Sequence, residues 1–252
     1  MARKYGTGAD QHVLYFEQDQ PSETAEFLLA GPTVDTIDGK AKIEIVFGNL
    51  PAVDIETFTT GRFGQYGNSV AGRMNVNGGA IDSDLETGTQ SNPISGLPGL
   101  DMLRFKDVEA IEIRQGTETL ASFGVDQLAT GLAALNACSQ DLITYWGLDV
   151  AEHRALTKRP VLINERAFYE RIINGYPSDA LRAEQMGTIR FLLIVGQDGK
   201  VEDCRESHVS LADRLDPKLC RAARRARFEP ALNAEGQPMR SYFLRQVSYV
   251  IP

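Results

Sequence analysis

The chain is poor in the residues on which many functional sites are built. Its three cysteines, Cys138, Cys204 and Cys220, form no C-x-x-C, and its three histidines, His12, His153 and His208, stand in unrelated contexts. No zinc-finger spacing arises, so neither a metal nor a cofactor is expected. The same scarcity leaves little material for a serine or cysteine hydrolase: there is no G-x-S-x-G, and three histidines in unrelated contexts give a triad little to draw on. No segment reaches the roughly 18 consecutive apolar residues of a membrane-spanning helix. Nothing before Asp10 supplies the apolar core of a signal peptide. The chain is therefore expected to be cytosolic, or exported by a segment that lies outside this sequence.

What remains is a soluble, globular composition of 252 residues, 42% apolar and 24% charged, long enough for two cores. The net charge of -8 divides unevenly. Residues 1–175 carry 14 basic and 24 acidic side chains, whereas residues 176–252 carry 12 and 10, and the shift suggests a domain boundary. Four arginines crowd into "RAARRARFEP", Arg221 to Pro230. A nucleic-acid partner would need a basic face on the whole domain, which this charge balance does not give. Contact with anionic lipid or peptidoglycan finds no support in the spacing alone.

The first part of the chain shows short apolar runs broken by turn residues: "HVLYF", "AEFLLAG", "AKIEIVFGNL" and "DIETFTTG". They predict strands of about five residues. In "KIEIVFG" the alternation puts Ile43, Ile45 and Phe47 on one side. Between Gly61 and Gly99 lie nine glycines with almost no apolar period, read as long loops or turns. "MLRFKDVEAIEIRQGTETLASFG" predicts two or three further strands. In "DQLATGLAALNACSQDLITYWG", Leu128, Leu132, Leu135, Leu142 and Trp146 recur at helical steps, with Asp126 to cap the start and Gly147 to end it. Cys138 on this helix is expected buried and free. "AIDSDLETGT" alternates Asp82, Asp84 and Glu86, but without a glycine-bearing EF-hand pattern it reads as a solvated acidic turn, not a calcium site. "GRFGQYGNSVAG" lacks both the lysine and the strand-to-helix context of a phosphate loop.

Residues 148–174 have no single period and are expected to connect two domains, with a short helix from Glu165 to Ile173. Beyond them the pattern sharpens. "YPSDALRAEQMG" predicts a short capped helix. "GTIRFLLIVGQDGKVEDCRESHV" predicts a hairpin whose first strand has Ile189, Phe191, Leu193 and Val195 on one face and Leu192 and Ile194 on the other. "DRLDPKLCRAARRARFEPA" predicts a helix capped by Asp216 with Pro217 at its first position. Its inner stripe is Leu219, Ala223 and Ala226, which leaves Arg221, Arg224, Arg225 and Arg227 mostly outside. Phe228 then points into the core and Pro230 forbids continuation. "MRSYFLRQVSYVIP" is the last strand, with Phe243, Val247, Tyr249 and Ile251 largely on one side.

The order helix, strand, strand, helix, strand, with "YP", "GTIRFLLIV", "DGKVEDC", "LDPKLCRAARRARFEPA" and "GQPM" in place, resembles the C-terminal domain of the TonB family, the periplasmic energy transducers and their relatives. The resemblance covers about residues 176–252, and nothing comparable marks residues 1–175. The expected fold class is therefore α+β. A β-rich, glycine-containing domain with one amphipathic helix spans 1–147, a connection spans 148–174, and a TonB-like domain with an antiparallel sheet spans 175–252.

The resemblance implies a periplasmic or cell-envelope setting and a role tied to energy transduction or transport across the outer membrane. It also implies a last strand that is an exposed edge, able to recruit an extended peptide such as a segment of an outer-membrane transporter. The residues concerned are Arg240, Tyr242, Phe243, Leu244, Arg245, Gln246, Val247 and Ser248. Cys204 falls on the second strand and Cys220 early in the helix. In an exported protein these would form a disulfide; in the cytosol they would be two reduced, buried thiols. Typical transducers also have a membrane helix and a long proline-rich spacer, and this chain shows neither. The leading expectation is a non-enzymatic protein that binds a protein partner by strand addition. The alternative is an exported protein whose N-terminal domain has a ligand-binding or enzymatic activity, with the C-terminal module used for docking or for forming a homodimer.

Overall fold

A computed structural model describes residues 1–38, 41–55, 58–77, 96–175, 178, 182, 187–210 and 219–249, with backbone alone at 187–188, 207–210 and 248–249. The chain divides into two compact units, one formed by Met1–Ile81 with Pro98–Ile143, the other having Thr144–Pro252 as its body.

The first unit is built from two antiparallel sheets that share one core. The larger sheet runs in the order β1 (Ala2–Tyr5), β2 (His12–Glu17), β3 (Thr24–Ala30), β7 (Asn68–Asn75), β6 (Phe58–Arg62). The smaller runs β5 (Val53–Ile55), β4 (Ile43–Phe47), β8 (Ala110–Gln115), β9 (Glu118–Gly124). Side chains alternate across a strand, so one face of each sheet can be made apolar throughout. Ile43, Ile45 and Phe47 meet this expectation and are buried together with Phe27 and Leu29 of β3 and Ile111 and Ile113 of β8. Helix α1 (Leu128–Tyr145) brings Leu128 and Leu132 to the same core and ends at Gly147, whose φ of 77° suits a left-handed helix stop. Asp126, expected as the cap of this helix, is ion-paired with Arg3.

Three features of this unit correct the sequence reading. The glycine-rich stretch is not all loop: β7 lies between β3 and β6, with Val70 and Met74 buried on either side of Gly72. The alternation of Val70, Gly72 and Met74 is a strand pattern in which the middle position lacks a side chain. Cys138 is free but exposed. The inward position on that turn of α1 belongs to Ser139, whose hydroxyl donates to the Asn136 carbonyl at 2.9 Å, the bond a buried polar group needs. "MLRF" is a 3-10 turn whose N-cap, Asp101, accepts from the Leu103 and Arg104 amides. The acidic run Asp82, Asp84, Glu86 lies outside the described residues.

In the second unit a three-stranded antiparallel sheet runs in the order β12 (Val201–Ser210), β11 (Gly187–Val195), β16 (Ser241–Tyr249). The apolar run of the central strand, Phe191 to Val195, is buried on both faces, as a strand with neighbours on each side and cover above and below must be. Ile189, Phe191, Leu193 and Val195 face a core completed by α3 (Glu165–Asn174), through Phe168 and Ile172, and by α4 (Leu219–Ala223), through Leu219, Ala222 and Ala223. Phe228 enters this core as expected. The turn between β11 and β12 requires glycine at Gly199. Its φ is 72°, and a Cβ there would stand 2.0 Å from the Phe228 carbonyl oxygen. The close approach exists because the Phe228 amide donates to the Gly199 carbonyl at 2.9 Å.

Residues 148–174, expected to connect two domains, are folded into this second unit. They supply α2 (Val150–Arg154), β10 (Val161–Leu162), which pairs with β13 (Phe228–Glu229), and α3. Lys158 is ion-paired with Glu229 beside that pairing. The small hairpin of β14 (Ala231–Leu232) and β15 (Pro238–Met239) packs Ala231 and Met239 on Leu156. The helix expected over "YPSDALRAEQMG" and the Asp216 cap lie almost wholly outside the described residues.

Candidate functional site

The strand singled out from sequence, β16, is at one edge of its sheet. It pairs with β11 along its whole length, from Gly187 opposite Tyr249 to Val195 opposite Ser241, and among the described residues it has no strand on its other side. The opposite edge, β12, is held to the helix layer: Cys204 and Cys220 are joined by a disulfide, and the Cys220 amide donates to the Glu206 carboxylate at 2.7 Å. One edge is thus tied to its own domain, and the other presents main-chain donors and acceptors that a strand would pair.

Most of the described side chains of β16 are committed to the fold. Phe243 and Val247 pack on the core beneath the helices, with Phe243 edge-on to Phe228 at 5.0 Å. On the alternate positions Tyr242 and Leu244 are also buried, and the Tyr242 ring lies 4.9 Å from the Trp146 ring. Gln246 is exposed. Arg245 bends back over the ring of Phe243, 4.3 Å from its centroid, and donates to the Leu244 carbonyl at 2.8 Å. Arg240, just ahead of the strand, is fixed by the Glu202 carboxylate at 2.6 Å and the Gly147 carbonyl at 2.8 Å. Ser248 lies on the strand opposite Thr188. All eight expected residues therefore fall on or immediately before one edge strand. What they leave available is chiefly backbone, which suits recognition by shape and main-chain pairing more than by side-chain pockets.

The sequence reading missed the group that anchors the beginning of this strand. His153 is 1% exposed; its Nδ1 lies 2.7 Å from the Asp149 carbonyl and its Nε2 lies 3.1 Å from the Ser241 hydroxyl. Its ring stacks on Tyr242. Desolvation by burial holds the imidazole below its ordinary pKa, against the opposing pull of its hydrogen bond to Asp149 and of the Glu152 and Asp149 charges. A local signal existed in "DVAEH": Asp149 accepts from the Glu152 amide at 2.8 Å, half of a capping box, so a helix start was marked and His153 placed one turn along it. Tyr169, packed against the same core, has its phenol pushed up by burial, with Arg245 opposing the shift.

Residues 174–251 match the model of the family described as Gram-negative bacterial TonB protein C-terminal. No curated protein matches the chain. The chain thus carries a domain of this family at its C-terminal end, and the match points to a protein of the Gram-negative cell envelope.

Proposed function

We propose that the C-terminal domain binds an extended segment of a protein partner by adding it as a fourth strand beside β16, and that the chain acts by binding and not by catalysis. The observation that carries this reading is the one-sided pairing of β16 over Ser241–Tyr249. An edge strand offers the affinity of a row of main-chain hydrogen bonds, and an incoming strand adds one row without rearranging the sheet. The family match supports the setting proposed with it: a periplasmic domain whose partner is a transporter segment, in a process that couples the cell envelope to transport across the outer membrane. A second copy of the chain is the competing occupant of the same edge.

Titrating a labelled extended peptide from the N-terminal region of an outer-membrane transporter against the full chain tests the proposal. Successive amides along a strand point in opposite directions. One of the variants Arg245→Pro and Gln246→Pro therefore removes an outward donor and the other an inward one. The outward variant is expected to keep its fold, read from Trp146 fluorescence, and lose the peptide. Absence of binding by the unmodified chain, or equal binding by both proline variants, contradicts the proposal. Sedimentation equilibrium of the chain alone reads the homodimer.

A further inference from the structure

We propose that the outer face of the helix layer, formed by α3 and by α4 with the turn after it, is a docking surface for a lipid bilayer that carries anionic headgroups. This face is opposite in role to β16 and shares no residue with it, so its test and the peptide test are independent.

The face is strongly basic although the protein is acidic. Arg221, Arg224, Arg225 and Arg227 are all exposed. None of them takes part in an ion pair among the described residues. Arg166 of α3 adds a fifth exposed guanidinium, paired with Glu170 at 2.9 Å. Exposed charges of one sign gathered at one place favour attraction to an external partner of the opposite sign. The net charge of -8 does not cancel this field, because charges beyond about 8 Å are largely screened at physiological ionic strength.

What selects a bilayer over a nucleic acid or an acidic protein is the apolar content of the same face. Ile163, just ahead of α3, is 60% exposed, and Ile173, in the last turn of α3, is 66% exposed, whereas Phe168 and Ile172 of that helix are buried. A single exposed isoleucine needs no explanation. Ile163, however, is pinned to the arginine turn. Its amide donates to the Arg227 carbonyl at 2.9 Å, and the neighbouring Asn164 side chain donates to the Arg225 carbonyl at 3.0 Å and accepts from the Arg227 amide at 2.9 Å. An exposed aliphatic side chain whose backbone is fixed to an arginine-rich turn suits an interfacial site: cations meet phosphates while the branched chain enters the boundary of the acyl region.

The test is co-sedimentation of the full chain with vesicles of phosphatidylglycerol and phosphatidylcholine in equal parts, against vesicles of phosphatidylcholine alone. The chain should sediment with the anionic vesicles only, and less as salt is raised. Reversing two charges, Arg224→Glu with Arg225→Glu, should lower the partition coefficient at least about twentyfold, since each cation near such a surface is worth roughly fivefold. Arg221→Glu with Arg227→Glu is an independent pair of exposed positions and should act alike. Ile163→Ser should lower it about threefold, by removing apolar area from the interface. Failure of the unmodified chain to sediment, or undiminished sedimentation of both charge-reversed forms, overturns the proposal. So does binding of a short DNA duplex as tight as that of the vesicles with no effect of Ile163→Ser, which makes the face a general polyanion site.

Discussion

The two units reach stability by different means. In the first, two sheets close over a broad core of Phe, Ile, Leu and Val side chains with no covalent link. In the second, a three-stranded sheet has helices over one face, a smaller core rich in alanine on the α4 side, and a disulfide that fastens β12 to α4. The difference follows from size, because a small layer buries less apolar surface and gains more from a cross-link. It also bears on function. The link reinforces the edge opposite β16, so the domain is held firmly on one side, while β16 has no second strand beside it among the described residues.

The contrast can be broken first at the second core. Phe191 is fully buried at the centre of β11, and Phe191→Ala should cost about 4 kcal/mol, the range for a buried phenylalanine. The chain's single tryptophan, Trp146, belongs to the second unit. Its fluorescence in urea should therefore show an early transition, while the far-UV circular dichroism of the first unit persists. Loss of both together would mean that the units do not unfold separately.

Next in size is the disulfide. Cys204→Ala with Cys220→Ala opens a loop of sequence separation 16, worth about 3 kcal/mol on the chain-entropy account. The tryptophan transition should move by that amount and the first unit's by none. Thiol titration of the denatured, unreduced protein should find Cys138 alone, and three thiols would refute the bridge.

A smaller effect separates the units by pH. His153 is held neutral by burial, so its folded pKa lies below its unfolded value of about 6.5. Below that value the unfolded chain binds a proton that the folded unit refuses, so stability is full at higher pH and falls as pH drops through the unfolded pKa toward the folded one. The tryptophan transition should weaken between about pH 7.5 and 5.5 by more than it does in His153→Asn. Equal loss in the two proteins would remove His153 as the cause.

Legibility of the sequence differed between the units for a physical reason. In the C-terminal part, elements announce their own ends: Phe228 to Pro230 stops a helix, and the run from Phe191 to Val195 has the density of a strand buried on both faces. Those signals placed the family resemblance, the core and the edge strand. In the first unit β7 was hidden because Gly72 replaces a side chain in its alternation. Ser139, and not Cys138, took the buried position because helix phase decides burial and residue type does not. The folding of 148–174 into the second unit was not legible either. Its contacts, such as His153 with Ser241 and Val161 with Glu229, join residues far apart in the chain, and local period carries no trace of them.

The account's central claim is that β16 is an acceptor for an added strand, and amide hydrogen exchange along Ser241–Tyr249 tests it most directly. With the extended peptide bound, alternate amides of β16, those facing away from β11, should slow while the amides already bonded to β11 change little. No new protection on β16, or protection confined to other elements, contradicts the claim.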